Sequence, residues 1–204
     1  LGLTPADVRT VLISHFHADH LAGLRDFPTS RFLALPEAYA SVAGLRGLQA
    51  LRRAFIPSLL PPDFADRLTL LGAQAFSPAC LAVKEQAWTP ALHWGPELPA
   101  LGRTLDLYGD GSLLLVRLPG HARGQLGLLA HTTRGPIFFV ADSCWLARSV
   151  TENRPPSAIG GLIADNAGEQ AATIARLHAF AKARPDVLIV PSHCPETLAE
   201  LLAA

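Results

Sequence analysis

The chain has 204 residues, half of them hydrophobic, and 17 Lys plus Arg balance 17 Asp plus Glu, so its formal net charge at pH 7 is zero. That length and apolar content suit one domain with a sizeable core. The even charge, with no basic run longer than Arg52-Arg53, argues against nucleic acid as a partner, and no apolar run reaches the roughly 20 residues of a membrane span.

Taken in chain order, Thr4-Pro5-Ala6-Asp7-Val8 has the form of a helical turn with a Thr cap and Pro at its first position. Val11-Leu12-Ile13-Ser14 reads as a strand, as does Arg31-Phe32-Leu33-Ala34-Leu35. Pro36 to Phe55 is predicted as helix from apolar spacing near three and four, and Asp63 to Leu71 as a second short helical stretch. From Gly72 to Leu101 the pattern is mixed, with Trp88 and Trp94 inside it.

Strands return at Thr104–Tyr108 and Leu113–Leu118, separated by the turn signal Gly109-Asp110-Gly111. Gln125–Ala130 and Ile137–Ala141 form a further pair, joined through Arg134-Gly135-Pro136. Ala167 to Ala183 is an amphipathic helix with Ile174, Leu177, His178 and Ala181 on one face, ended by Pro185. Val187 to Pro191 is a strand, and Pro195 to Leu202 a closing helix.

Four short words carry the chemistry: Ser14-His15-Phe16-His17-Ala18-Asp19-His20, Pro119-Gly120-His121, Ala141-Asp142 and Pro191-Ser192-His193. Imidazoles and carboxylates are ligands for zinc and similar divalent ions. Strand alternation sends His15 and His17 to one side of the chain, while Asp19 and His20 follow in a turn. Seven candidates, His15, His17, Asp19, His20, His121, Asp142 and His193, are too many for one ion with three or four protein ligands and suit two. His93, His131 and His178 fall outside the pattern and read as ordinary core or surface residues.

The six-residue word, followed in order by His121, Asp142 and His193 at strand ends, resembles the metallo-β-lactamase superfamily of binuclear hydrolases. The resemblance runs from Val11 to His193. It implies an α/β fold with αββα layering, two sheets sandwiched between helices and metals at one rim. By this resemblance residues 1–204 form a single domain, with 36–72 as a helical lid or insertion. The family's metal-binding strand follows several opening strands, whereas only Leu1 to Thr10 precede it here. An N-terminally incomplete domain is therefore expected.

By the same resemblance His15, His17 and His121 hold a first metal, Asp19, His20 and His193 a second, and Asp142 bridges both. Zinc is the first expectation, with manganese or iron as alternatives. A hydroxide shared by two such ions attacks a carbonyl or phosphoryl centre, so Asp142 and Asp19 are the expected catalytic carboxylates, Asp19 also handling a proton. A carboxylate at 142, where some β-lactamases have cysteine, favours the hydrolase and lactonase branches.

The expected substrate is a small apolar molecule with an ester-type bond, a lactone or an acyl thioester. A phosphodiester, or a degenerate non-catalytic role, is the alternative. Phe55, Ile56, Leu59, Leu60, Phe64, Trp88 and Trp94 either line an acyl channel or simply pack the core. One departure counts against the lactonase reading. Quorum-quenching lactonases commonly place a tyrosine three residues after the bridging aspartate, where this chain has Trp145. Arg123 either orients an anionic group of the substrate or is an exposed arginine.

Cys80, Cys144 and Cys194 form an odd set without a pairing pattern, which points to a reducing compartment, cytoplasmic, and no structural disulfide. Cys144 and Cys194 lie close to Asp142 and His193, either supporting those side chains or serving as small buried residues. No signal peptide is visible.

Overall fold

The computed structural model describes residues 2–71, 93–157 and 163–203. Expectations resting on Cys80 and Trp88, and on most of the mixed stretch after Gly72, lie outside the described residues. The backbone divides into two compact units, Leu1–Ala73 and Gln74–Ala204.

The first unit carries a parallel sheet of three short strands, β1 (Thr10–Leu12), β2 (Arg31–Ala34) and β3 (Leu68–Leu70), in that spatial order. Thr10 pairs with Arg31 and Leu12 with Leu33, and Ile13 extends the pairing by donating to the Leu33 carbonyl at 2.8 Å. Parallel neighbours need a long crossover. The residues linking β1 to β2 therefore leave the strand in two 3₁₀ turns, Ala18–His20 and Leu24–Asp26, and the histidine-rich word lies in this crossover. The Thr4 turn forms as expected, with the Asp7 carboxylate accepting from the Thr4 amide at 2.8 Å and from its hydroxyl at 2.7 Å.

The link from β2 to β3 differs from expectation. A continuous helix over 36–55 is replaced by two short ones, α1 (Pro36–Ala40) and α2 (Gly47–Leu51). Gly44 and Gly47 both take left-handed backbone, φ 77° and 53°, which ends one helix and starts the next. Of the predicted helix 63–71 only α3 (Phe64–Arg67) is helical, and the apolar run after it is β3.

An aromatic cluster holds these pieces together. Phe64 stacks on Phe32 at 5.2 Å between ring centroids and meets Phe16 edge-on at 6.2 Å, with Tyr39 5.7 Å from Phe16. The Arg67 guanidinium covers the Phe32 ring at 4.7 Å and donates to the Phe27 carbonyl at 2.7 Å and the Ser30 carbonyl at 3.0 Å. Phe55 and Phe64 are thus core residues, whereas Leu48, Leu51 and Ile56 are exposed.

In the second unit, six described strands form one sheet in sequence order: β4 (His93–Leu98), β5 (Gly102–Asp106), β6 (Leu113–Arg117), β7 (Leu126–Thr132), β8 (Gly135–Ala141) and β9 (Leu188–Pro191). Neighbours are antiparallel until β9, which runs parallel to β8. β4 was not expected, because Gly95 and Pro96 interrupt its pattern. Among the described strands it lies at the edge of the sheet, and its register shifts between Trp94 and Glu97, the setting in which a strand tolerates proline. The predicted turn at 109–111 is closed by the buried Asp106 carboxylate, which accepts from the amides of Tyr108, Gly109 and Gly111 at 3.2, 2.8 and 2.6 Å.

The crossover from β8 to β9 contains α4 (Ala147–Thr151), unforeseen in the sequence, and α5 (Ala167–Ala183), the predicted amphipathic helix. The predicted closing helix is α6 (Pro195–Ala203). The core of this unit joins Leu114, Val116, Leu129, Phe138 and Val140 from the sheet to Ile174, Leu177 and Phe180 of α5. Phe138 meets Phe180 edge-on at 5.5 Å. Burying side chains of this size contributes roughly 1.5–3 kcal/mol each, which anchors α5 against the strands that end at Asp142 and His193.

Candidate metal centre

At the end of β1 the chain alternates once more before turning. Phe16 enters the aromatic cluster, while the flanking His15 and His17 bring their rings to 4.6 Å at 80°. The 3₁₀ turn that follows is tied down by the Ala18 amide, 2.8 Å from the Ala54 carbonyl. This turn lays His20 against His15, centroids 4.1 Å apart, and sets Asp19 Oδ2 3.6 Å from His20 Nε2. His15 is fully buried and its Nδ1 meets the Ser14 hydroxyl at 3.1 Å, while Asp19 is exposed. All four candidates of the first unit therefore gather over six residues.

In the second unit Asp142 follows β8 and His193 follows β9. Ala141 pairs with Pro191 across the parallel ladder, so the two candidates leave neighbouring strand ends. Ala141 takes φ 49°, left-handed backbone that a non-glycine residue adopts only where its surroundings impose it, and this bend ends the strand at Asp142. Asp142 Oδ2 lies 3.1 Å from His193 Nε2 and 3.6 Å from His121 Nε2. Asp142 and His121 are buried and His193 is exposed.

His121 is carried by a loop locked onto the start of α5. The Asn166 amide donates to the Gly120 carbonyl at 2.8 Å, the Asp165 amide to the His121 carbonyl at 2.9 Å and the Thr173 hydroxyl to the Pro119 carbonyl at 2.7 Å. Three buried polar residues that were not singled out in the sequence support the other side. Gln125 Nε2 donates to the Leu118 carbonyl at 3.1 Å and to Ser143 Oγ at 2.8 Å, and Ser143 Oγ donates to the Val140 carbonyl at 2.8 Å. Gln170 Nε2 donates to the carbonyls of Asp142 and Ser143, both at 3.3 Å. The only signal in the sequence was polar residues placed among apolar ones.

The donor chemistry fits a divalent cation: imidazole nitrogens and a buried carboxylate. Two ligands on one zinc, with bonds of about 2.0–2.1 Å and tetrahedral angles, sit roughly 3.4 Å apart, close to the His121–Asp142 separation.

The remaining candidates have ordinary settings. Trp145 is exposed. Arg123 is exposed and faces Asp165 at 3.4 Å. Cys144 lies in the core, where burial, then the neighbouring Cys194 and Asp142, push its thiol up to about 12. The Cys194 thiol donates to Glu196 at 3.2 Å and accepts from the Ala147 amide at 3.3 Å. His131 and His178 bond the carbonyls of Gly111 and Val150 at 2.7 and 2.8 Å.

The chain belongs to the metallo-beta-lactamase superfamily, whose family model matches residues 1–193. Its α/β fold is the one that family shares. Among curated proteins it is similar to the N-acyl homoserine lactonase AttM of Azorhizobium caulinodans, 24% identical over 197 residues, covering 96% of this chain and 62% of that protein. It is 26% identical over 212 residues to the N-acyl homoserine lactonase AiiB of Agrobacterium fabrum, covering 99% and 62%. The chain thus spans somewhat less than two thirds of the length of these relatives. Among solved structures it resembles an N-acyl homoserine lactone hydrolase with N-hexanoyl-L-homoserine bound at its catalytic metal centre. That likeness has a TM-score of 0.63 at 14% identity, covering 98% of this chain and 61% of the other. It also resembles AidC, a dizinc quorum-quenching lactonase, with a TM-score of 0.58 at 15% identity, covering 95% and 60%. Identities this low carry the fold.

Proposed function

We propose that the protein is a metal-dependent hydrolase of an ester-type bond, with a lactone as its first substrate class. In this reading His15, His17 and His121 would hold one divalent ion and Asp19, His20 and His193 a second, with Asp142 serving both. The observation that carries it is the buried Asp142 carboxylate, faced by imidazole nitrogens of two residues at 3.1 and 3.6 Å. Both imidazoles approach one oxygen, Oδ2, so a single buried carboxylate stands within reach of a histidine assigned to each ion, which supports a shared ligand. The lactonase relatives support the substrate class.

Two such ions, when bound, supply Lewis acidity and a water of lowered pKa. The chain's residues do the rest. The histidines would orient such ions through their ring nitrogens, and the buried carboxylate would balance their charge. In lactone hydrolysis water adds to the carbonyl carbon, the ring C–O bond breaks and the leaving alkoxide takes up a proton. Asp19, the exposed carboxylate of the set, takes up the proton the water loses as it adds and passes it to the leaving alkoxide. The position three residues after Asp142 holds the exposed Trp145, whose indole N–H cannot transfer a proton as a tyrosine hydroxyl can.

A panel of lactones, acyl thioesters and phosphodiesters, assayed with zinc and with manganese, tests the reading. Turnover of lactones that stops on chelation and returns with metal is the expected result. Strong phosphodiester turnover without lactone turnover would overturn the substrate class. Absence of metal uptake would overturn the centre itself.

A further inference from the structure

We infer that Gln170 is a positioning residue that sets the Asp142 carboxylate and the His121 imidazole relative to one another, an inference that rests on the metal-centre reading above. Gln170 is buried in the first turn of α5, where a glutamine would ordinarily face water. Its side chain and its backbone are used against different loops. The amide nitrogen spans the two consecutive carbonyls of Asp142 and Ser143, both at 3.3 Å. These are the first peptide groups after the strained Ala141, where the β8 ladder no longer supplies donors. The Gln170 backbone abuts Gly120, so closely that a β-carbon there would lie 2.1 Å from Gln170 N and 2.3 Å from its Cα. Immediately beyond Gly120 comes His121, and the neighbouring Asp165 and Asn166 amides hold the carbonyls of His121 and Gly120.

A single residue thus fastens the two loops that present His121 Nε2 and Asp142 Oδ2 at 3.6 Å. The helix behind it is rigid, since Ile174, Leu177 and Phe180 are core residues. A displacement of either loop would change the spacing between the two donor atoms, and metal affinity depends steeply on that spacing. Gln125 cannot replace this contact, because its amide nitrogen is committed to the Leu118 carbonyl and Ser143 Oγ. Gln170 touches no substrate in this account and acts only through the two ligand loops.

The test is zinc affinity of the full chain, measured by competition with a chromophoric chelator, beside the thermal midpoint of the metal-free protein. Gln170→Met keeps the length and removes both donated hydrogen bonds. Its zinc affinity is expected to fall by about tenfold or more, the range seen when outer partners of metal ligands are removed. Ile174→Val, a mild core change one turn further along the same helix that removes no hydrogen bond, is expected to lower the midpoint while leaving zinc affinity within about twofold of wild type. Gln170→Asn, which keeps the donors but shortens their reach, serves the same comparison if the Met variant does not fold, and is expected to weaken zinc binding as well. A folded Gln170 variant binding zinc as tightly as wild type would overturn the inference alone. So would an equal loss of affinity in Ile174→Val. A wild-type chain that takes up no zinc would overturn the metal centre, and this inference with it.

Discussion

Gly120 leaves no room for a β-carbon against Gln170, whose backbone nitrogen would be 2.1 Å away. The glycine also sits at φ 124°, backbone that side chains rarely adopt. Crowding and conformation therefore demand the same residue at the position before His121. Gly120→Ala is expected to destabilise the protein by about 2–4 kcal/mol and to weaken metal binding, because relief requires the His121 loop to lift off α5. Urea unfolding with metal titration on the same sample checks both effects.

Metal content gives a second expectation. Seven imidazole and carboxylate candidates against three or four ligands per ion lead to about two divalent ions per chain. Elemental analysis after gentle purification measures this directly. A persistent value of one or none with metal supplied in excess would sink the binuclear reading.

Asp142→Ala should be more damaging than loss of any histidine. A carboxylate shared by two ions contributes to both sites, so hydrolysis should drop by about a hundredfold or more, the upper end of the range for losing even an outer partner of a ligand, and occupancy should fall at both positions. A variant retaining both metals and most activity would disprove the shared role.

Phe64 is expected to report on stability. Its contacts with Phe16, Phe32 and Tyr39 make Phe64→Ala a cavity in the first unit's core, costing about 3–5 kcal/mol. Through Phe16 it also loosens the segment between His15 and His17. Chemical denaturation would show the loss. A near-neutral effect would mean that the aromatic cluster contributes little.

Chain-length dependence probes the substrate class. Each acyl methylene buried on binding contributes about 0.8 kcal/mol, roughly fourfold in kcat/KM, until the available apolar surface is covered. A homologous series of lactones should show that rise. A flat profile would remove the acyl chain from the recognition.

Much of the second unit was legible because its strands alternate or run apolar between clear turn residues. β6, β7, β8 and α5 fall close to their expected bounds. The seven candidate ligands were singled out for another reason, since several imidazoles close together are rare without a shared task, and their role as ligands is a proposal. Elsewhere local pattern misled. Alanine and leucine spacing over 36–55 hid two glycines with left-handed backbone, and Leu68-Thr69-Leu70 is too short to distinguish a strand from the end of a helix. Gln170 was invisible because a glutamine on an amphipathic helix ordinarily marks the wet face, and only the packed structure shows it turned inward.

The parallel pairing of β8 with β9 sets a rule for how this chain can change length. Asp142 and His193 are 51 residues apart in sequence, yet their separation in space is set by the Ala141–Pro191 register. Residues added between α4 and α5 lengthen a path whose two ends stay where the ladder holds them, at a cost that grows only logarithmically. One residue added to or lost from β8 or β9 would turn its side chains to the opposite face and point the carboxylate away from the imidazole. Natural length variation in this half of the molecule should therefore collect between the helices and be absent from the two strands.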